Sequence, residues 1–174
     1  MNMDRVLCVL LLVSGVACAQ TRPGNAAAAL VEAQACADPG ASRAAQQIVD
    51  TWIAGYNGGD SARVAALYTE DAYYLTQHYV TGILHGRANI QAYVQRGVDA
   101  GYHIDSIRIL HVGCAGDLMY VITRYESTNA GQKAIGVNLV VASRTPGGWR
   151  IAAHEAAVPD PATAVQQLNR PGSH

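Results

Sequence analysis

The chain has 174 residues and a formal net charge of −1, with 14% charged and 50% hydrophobic residues. This near-neutral balance and the lack of a basic stripe in the sequence exclude an electrostatic nucleic-acid binder. The aromatic residues are nine Tyr and two Trp, with no Phe. Tyrosine has an apolar body and a polar tip, which suits the wall of a partly wet cavity. The alternative is that these tyrosines replace Phe in ordinary packing.

The first 19 residues have the pattern of a secretory signal peptide. Arg5 precedes an apolar run over residues 6–16, and the small residues Ala-Cys-Ala follow. The run is shorter than the roughly 20 apolar residues that cross a membrane. We therefore predict cleavage after Ala19, secretion to the periplasm or medium, and no stable membrane insertion. A lipoprotein anchored at Cys18 is the less favoured alternative, because Gly15 stands where such a signal has a large aliphatic residue.

Two of the four cysteines, Cys36 and Cys114, remain after this cleavage. An even number of cysteines in an oxidising compartment predicts one disulfide, and two buried thiols are the alternative. Residues 20–41 are rich in Ala, Pro and Gly and are expected to form a flexible N-terminal segment. Residues 159–174 show little pattern and are expected to form a C-terminal tail. One folded domain is thus expected over 42–158.

Three helices are expected in the first part of this domain. Ile48, Trp52 and Tyr56 recur every four residues, which predicts an amphipathic helix. Asp60 is a good N-cap for a second helix, which is expected to include Tyr68 on its apolar face. An extended stretch and then a third helix follow. The expected bounds are 43–56 for the first helix, 72–78 for the extended stretch and 86–98 for the third helix.

The second part of the domain alternates between apolar and polar residues, as half-buried strands do. Turn-forming Gly, Pro and Asn residues separate four such stretches. The expected strands are Tyr102–Val112, Leu118–Ser127, Ala134–Thr145 and Trp149–Val158. Helices followed by long hairpin-linked strands indicate an α+β fold. A curved antiparallel sheet around the helices would enclose a cone-shaped cavity.

Four runs of the sequence carry a family resemblance: WIAGYNGGDSARVAALYTEDA, GRANIQAYV, GDLMYVITRYE and GGWRIAAHEA. Together they resemble the SnoaL-like, DUF4440-type proteins of the NTF2-like superfamily, over roughly residues 44–157. The resemblance implies an NTF2-like cone, with three N-terminal helices packed in a curved antiparallel sheet. The outer face of this sheet is a common dimerisation surface in the superfamily, so a homodimer is expected. The superfamily includes enzymes, binding proteins and assembly domains, so the resemblance implies a pocket but no particular reaction.

One enzyme type within the superfamily can be tested by position. Relatives of ketosteroid isomerase need a tyrosine in the first helix, an aspartate base in the first strand and a protonated carboxylic acid across the pocket. Trp52, Thr76 and Asn138 occupy the corresponding positions here. An indole, a hydroxyl and an amide can form hydrogen bonds, but none accepts a proton from carbon near neutral pH. Steroid-isomerase chemistry is therefore disfavoured.

The same alignment defines a candidate ligand site. Side chains alternate along a strand, so positions two residues apart face the cavity together. The candidate substrate-binding residues are Trp52, Tyr56, Tyr74, Thr76, His78 and Asn138, with Val140 beside Asn138. The resemblance points to His154 as the candidate catalytic residue, since a histidine can act as general acid or base near neutral pH. The alternative is a structural histidine bonded to a backbone carbonyl or a neighbouring tyrosine. The two-residue alternation along the last strand places His154 on the same side as Arg150 and Ala152.

Other chemistry finds little support in the sequence. His103 and Asp105 share one face of a strand and His111 lies further along, but no zinc spacing is present, so no metal is expected. Nucleophile, phosphate-loop and dinucleotide motifs are absent, so no cofactor is expected. Arg124 and Glu126 point to the same side of one strand. If that side faces the cavity, they would form a polar anchor for a ligand; if it faces outward, they are a solvated pair.

Three functions remain open at this point. The first is an exported, cofactor-independent isomerase, dehydratase, cyclase or hydrolase acting on a small, largely apolar molecule. The second is a non-catalytic protein that binds such a molecule in the same pocket. The third is a dimeric interaction domain whose pocket is filled by its own side chains. The sequence predicts the pocket and leaves catalysis open.

Overall fold

The computed structural model describes Cys36 and residues 38–158. The predicted signal peptide, the predicted tail from residue 159 and most of the predicted N-terminal segment lie outside the described residues. No helix in the described part is long and apolar enough to cross a membrane. The elements in chain order are α1 (Pro39–Asn57), α2 (Ser61–Ala65), β1 (Tyr68–Thr76), β2 (Ile83–His85), α3 (Arg87–Asp99), β3 (His103–Ala115), β4 (Leu118–Asn129), β5 (Gln132–Thr145) and β6 (Gly148–Ala157).

The six strands form one curved sheet in the order β2-β1-β6-β5-β4-β3. Neighbouring strands are antiparallel except β1 and β6, which run parallel. The predicted α+β class is confirmed, and the sheet is mixed. The parallel pair arises because α3 carries the chain from the β1–β2 edge to the opposite edge at β3. The meander from β3 to β6 then returns to β1.

Helix α1 begins four residues before the predicted start, at Pro39. A carboxylate oxygen of Asp38 accepts a hydrogen bond from the backbone N–H of Gly40 at 2.8 Å, which caps the helix. Proline is favourable in a first helical turn, where its missing N–H has no intrahelical partner. A Pro-Gly pair more often marks a loop, which is why the sequence pattern placed the start later.

The expected helical position of Tyr68 is wrong, because α2 ends at Ala65 and Tyr68 begins β1. Asp60 does cap α2, through a 2.9 Å hydrogen bond from the backbone N–H of Arg63. The side chain of Tyr68 is fully buried, and the Arg87 guanidinium holds its backbone carbonyl through Nε at 2.9 Å. These tertiary contacts of Tyr68 therefore outweigh the helical spacing of its apolar neighbours in the sequence. The three-residue strand β2 was also missed, since so short a strand has no periodicity.

A bulge in β6 changes which residues face inward. Ala153 pairs with Val141 of β5, and Ile151 pairs with Ala142, which leaves Ala152 without an opposite residue. Ile151 and His154 are consequently both buried although they are three residues apart. The predicted grouping of His154 with Arg150 and Ala152 on one side is wrong for this reason.

The predicted disulfide between Cys36 and Cys114 is present in the structure, with Cα atoms 4.8 Å apart. The backbone N–H of Cys36 also donates to the carbonyl oxygen of Val112 at 3.1 Å. The bond joins the start of the described chain to β3. The hydrophobic core lies between the helices and the concave face of the sheet. Its largest fully buried side chains include Tyr68, Ile90, Met119 and Ile151.

Candidate functional site

A cavity of about 420 Å³ lies between α1, α3 and the concave face of the sheet. Cavities that hold small molecules in proteins range from about 300 to 1,000 Å³. Aromatic and aliphatic side chains make up most of its wall. All the residues predicted to contact a ligand line it: Trp52, Tyr56, Tyr74, Thr76, His78, Asn138 and His154. Their roles stay predictions.

His154 lies in the wall and is 5% exposed. Its Nδ1 is 2.7 Å from the phenolic oxygen of Tyr68, and that oxygen accepts a hydrogen bond from the indole Nε1–H of Trp52 at 3.2 Å. A phenol has only one hydrogen to donate. If Nδ1 carried the hydrogen, the buried Tyr68 hydroxyl would have no acceptor among the described residues, so the Tyr68 hydrogen points to Nδ1 of His154. A neutral imidazole then carries its own hydrogen on Nε2.

Burial also determines the charge of this imidazole. It lowers the pKa of His154 to about 3, since a charged ring would lose its hydration. The ring is therefore neutral at physiological pH. Its Nε2 is buried and has no hydrogen-bond partner in the described structure. Buried donors are nearly always paired, so an unpaired one in a cavity wall marks a position where a ligand oxygen could bind.

Aromatic rings surround His154 on the cavity side. The Tyr74 ring packs edge-on against the imidazole at a centroid distance of 4.5 Å, and the Trp52 ring does so at 6.4 Å. Trp52 in turn stacks on Tyr56, one turn along α1, at 5.0 Å. Burial raises the pKa of Tyr74 and of Tyr68, so both phenols stay protonated. The surroundings of the imidazole are thus apolar and uncharged.

The sheet contributes a small polar area to the wall. Asn138 of β5 and Thr123 of β4 are register partners, and the Asn138 amide donates to the Thr123 hydroxyl at 3.0 Å. Both side chains are buried. His78 lies two residues beyond the end of β1, at the exposed mouth of the cavity, and its backbone N–H donates to the Thr76 hydroxyl at 3.2 Å. The site therefore has a dry interior and a wet mouth.

Sequence reasoning missed several residues of the site, among them Tyr68, Tyr93 and Arg96. Tyr68 was assigned to a helix, so its contact with His154 was not foreseen. Tyr93 and Arg96 of α3 line the cavity, and Tyr68 lies behind its wall in contact with His154. The guanidinium carbon of Arg96 is 5.8 Å from the centroid of the Tyr93 ring. Their spacing of three residues on one helix face was the signal that could have found them.

No metal centre is evident among residues 36 and 38–158, where no three His, Cys, Asp or Glu side chains gather. Nδ1 of His103 lies 3.2 Å from a carboxylate oxygen of Asp105. His111 instead contacts the Tyr120 hydroxyl through Nε2 at 3.1 Å. Arg124 and Glu126 are absent from the cavity wall and lie on the opposite face of β4 from Thr123.

A comparison with known families agrees with this architecture. The model of the SnoaL-like domain matches residues 49–158. This chain belongs to the SnoaL-like domain family. The matched part of this SnoaL-like chain includes every candidate ligand-contacting residue from Trp52 to His154, and the predicted resemblance is confirmed. No match was found among functionally curated protein sequences.

Solved structures share the fold of this SnoaL-like domain at low sequence identity. A domain of unknown function with a cystatin-like fold from Nostoc punctiforme has a TM-score of 0.65 and 18% identity, covering 75% of this chain and 86% of that one. An NTF2-like protein from Novosphingobium aromaticivorans has a TM-score of 0.59 and 20% identity, covering 75% of this chain and 89% of that one. A ketosteroid isomerase-like protein from Erwinia carotovora atroseptica has a TM-score of 0.57 and 18% identity, covering 67% of this chain and 94% of that one. At these identities the similarity establishes the fold alone.

Proposed function

We propose that this SnoaL-like domain binds a small, largely apolar molecule through an oxygen atom that accepts a hydrogen bond from Nε2 of His154. The observation that carries the proposal is the buried Nε2–H without a partner in a cavity wall of aromatic rings. A hydrogen bond formed in such a dry site is stronger than the same bond in water. Apolar contacts with the rings would add affinity, and the single donor would orient the ligand.

Binding is favoured over acid–base catalysis by two features. The neutral His154 already uses Nδ1 to accept from Tyr68, so Nε2 is arranged to donate a hydrogen bond and not to remove a proton. No Asp or Glu lies among the cavity-lining residues of the described chain. The alternative is cofactor-independent isomerase, dehydratase, cyclase or hydrolase chemistry. Its support is that a neutral imidazole N–H could stabilise an oxyanion that develops on a bound substrate.

A titration with 2-decanone tests the binding site, because this ketone has an apolar chain and one acceptor oxygen. We expect it to bind the wild-type protein, and we expect His154→Phe to weaken binding about three- to ten-fold through loss of one hydrogen bond. His85→Phe is the matched control, since His85 lies on β2 outside the cavity wall. Absence of 2-decanone binding to the wild type, or equal binding by both variants, contradicts the proposal.

We also propose that the protein is exported and oxidised. The Cys36–Cys114 bond is compatible with an oxidising compartment, and the apolar run before Ala19 with a cleaved signal peptide. Intact-mass measurement of the protein secreted by its host should give a chain that begins at Gln20. A lipid-modified chain beginning at Cys18 would instead support the lipoprotein alternative.

The outer face of the sheet supports a homodimer as the assembled form. Ile135, Val137 and Leu139 alternate along β5 and are all exposed there. Arg124 of β4 is the register partner of Val137, and Glu155 of β6 is the register partner of Leu139. Opposite charges thus flank an apolar row, so two copies related by a two-fold axis can pair Arg124 of one with Glu155 of the other.

Light scattering after size exclusion tests this assembly. The wild type should have the mass of two chains, and Leu139→Glu should have the mass of one, because the new carboxylate lies in the apolar row. Val80→Glu introduces the same charge at a fully exposed turn and should stay dimeric. A monomeric wild type, or a dimeric Leu139→Glu variant, excludes this surface.

A further inference from the structure

Arg96 lies at the mouth of the cavity and is held there by two aromatic rings. Its guanidinium carbon is 5.6 Å from the centroid of the Tyr79 ring and 5.8 Å from that of the Tyr93 ring. These are cation–π distances, which favour a cation lying over the ring face. The two rings therefore favour a position of the long side chain beside the opening.

This cation is available to a ligand. Arg96 makes no ion pair with any residue that the structure describes. Asp99 is the nearest carboxylate along α3, and it accepts a hydrogen bond from Gln95 at 2.8 Å instead. Among the cavity-lining residues of the described chain, Arg96 carries the only permanent charge, and none is acidic. The opening of the cavity is consequently positive.

The two ends of the cavity differ in the groups they can accept. A carboxylate next to the neutral His154 would be buried without a counter-charge, which is strongly unfavourable. At the mouth, where Tyr102 is 47% exposed, a carboxylate keeps part of its hydration and meets the guanidinium. A planar guanidinium is well suited to a carboxylate, since two N–H groups can donate to its two oxygens.

We infer that the ligand is an apolar carboxylic acid, bound with its carboxylate at Arg96 in the mouth and an uncharged oxygen at His154 in the interior. This inference rests on the proposed binding function and specifies its ligand class. The apolar chain between the two oxygens would lie against Trp52 and Tyr74. The acid enters with its apolar end first, and the charged end stays at the surface.

A matched pair of compounds tests the inference, namely 2-decanone and 9-oxodecanoate. They share the same ketone and the same chain, but 2-decanone ends in a methyl group and 9-oxodecanoate ends in a carboxylate. Calorimetric titration of the exported protein should show that 9-oxodecanoate binds about five-fold more tightly than 2-decanone, the upper range for a partly exposed ion pair. Added salt should reduce this preference, because it screens exposed charges.

Variants of two arginines complete the test. Arg96→Gln should bring the affinity for 9-oxodecanoate down to that for 2-decanone, and continued binding of 2-decanone would show that the variant is folded. Arg108→Gln makes the same change of charge at an exposed residue outside the cavity wall and should keep the preference.

The outcomes separate the two proposals. Equal affinities in the wild type, or a preference that survives Arg96→Gln, overturn the carboxylate inference and leave the binding function standing. If 2-decanone does not bind the wild type, the binding function fails and the inference fails with it.

Discussion

The phenolic oxygen of Tyr68 lies 2.7 Å from Nδ1 of His154, although 86 residues separate them in the sequence. Tyr68 is at the start of β1 and His154 is in β6, and the parallel pairing of these strands brings them together. The Tyr68 hydroxyl has no other acceptor among the described residues, so it donates to Nδ1 and the imidazole carries its hydrogen on Nε2. The hydrogen-bonding capacity of the cavity thus depends on a residue behind its wall.

Tyr68→Phe should destabilise the protein. The change removes one hydroxyl, which leaves the buried Nδ1 of His154 without a partner and takes the acceptor from Nε1 of the half-buried Trp52. We expect a loss of about 1–3 kcal/mol in the free energy of unfolding, measured by urea denaturation. Tyr102→Phe removes a hydroxyl from a half-exposed ring and should change it by less than about 0.5 kcal/mol. Equal losses in the two variants would contradict the network.

The stability of the protein should fall in mildly acidic solution. The pKa of His154 is lowered by burial from 6.5 to about 3, so the folded state excludes a proton that the unfolded state binds. The contribution of the neutral His154 to the free energy of unfolding is complete above pH 6.5 and is lost as the pH falls from there towards 3. The slope is about 1.4 kcal/mol per pH unit for one proton.

Urea denaturation between about pH 4.5 and 7.5 measures this slope. His154→Asn should reduce the slope of the unfolding free energy against pH by the amount due to one proton, whatever the absolute stability of the variant. His85→Asn, at an exposed position on β2, should keep the wild-type slope. A His154→Asn profile parallel to the wild type would show that the imidazole is not held neutral.

Gly97→Ala should destabilise α3, although alanine normally favours a helix by about 0.5–1 kcal/mol over glycine. A Cβ at this position would lie 2.1 Å from the Tyr56 hydroxyl oxygen. The clash would displace Tyr56 from Trp52, and we expect a net loss of about 1–3 kcal/mol. Thermal unfolding measures it.

A double variant and a control make this test specific. Tyr56→Phe removes the clashing oxygen, so Gly97→Ala should cost less in that background than in the wild type. Gly147→Ala places its Cβ at least 3.5 Å from any neighbour and should be nearly neutral. Additive effects of the two substitutions would count against the clash.

Loss of the disulfide should have a large effect because the closed loop is long. Cys36 and Cys114 are 78 positions apart, and the chain-entropy model gives about 4 kcal/mol for a loop of that length. The double variant Cys36→Ser, Cys114→Ser should lose this amount in urea denaturation. A reductant should lower the wild-type midpoint and leave that of the double variant unchanged. A wild type that is insensitive to reductant would show that the bond contributes little.

Much of the fold was predictable because its patterns are local. The four-residue spacing of Ile48, Trp52 and Tyr56 identified α1, and alternation identified β3, β4 and β5. The parallel pairing of β1 with β6 leaves no local pattern, since it depends on where a distant strand returns. The bulge at Ala152 is also invisible to alternation, because a bulge breaks the two-residue period on which that prediction rests.

The candidate site was predictable to a similar degree. Trp52, Thr76 and Asn138, which the family resemblance singled out, all line one cavity, because homologous positions occupy the same place in the fold. It did not reveal that Tyr68 fixes the hydrogen of His154. That property arises from three side chains on three elements, and only their assembled geometry shows it.

The central position of β6 has a consequence for the order of events in biosynthesis. Until this strand is made, β1 has only the three-residue β2 as a neighbour, and β5 has an open edge. The sheet therefore cannot close while the ribosome still holds the last residues of the domain. Such late completion would keep the nascent polypeptide unfolded until the domain is fully synthesised, as the proposed export requires.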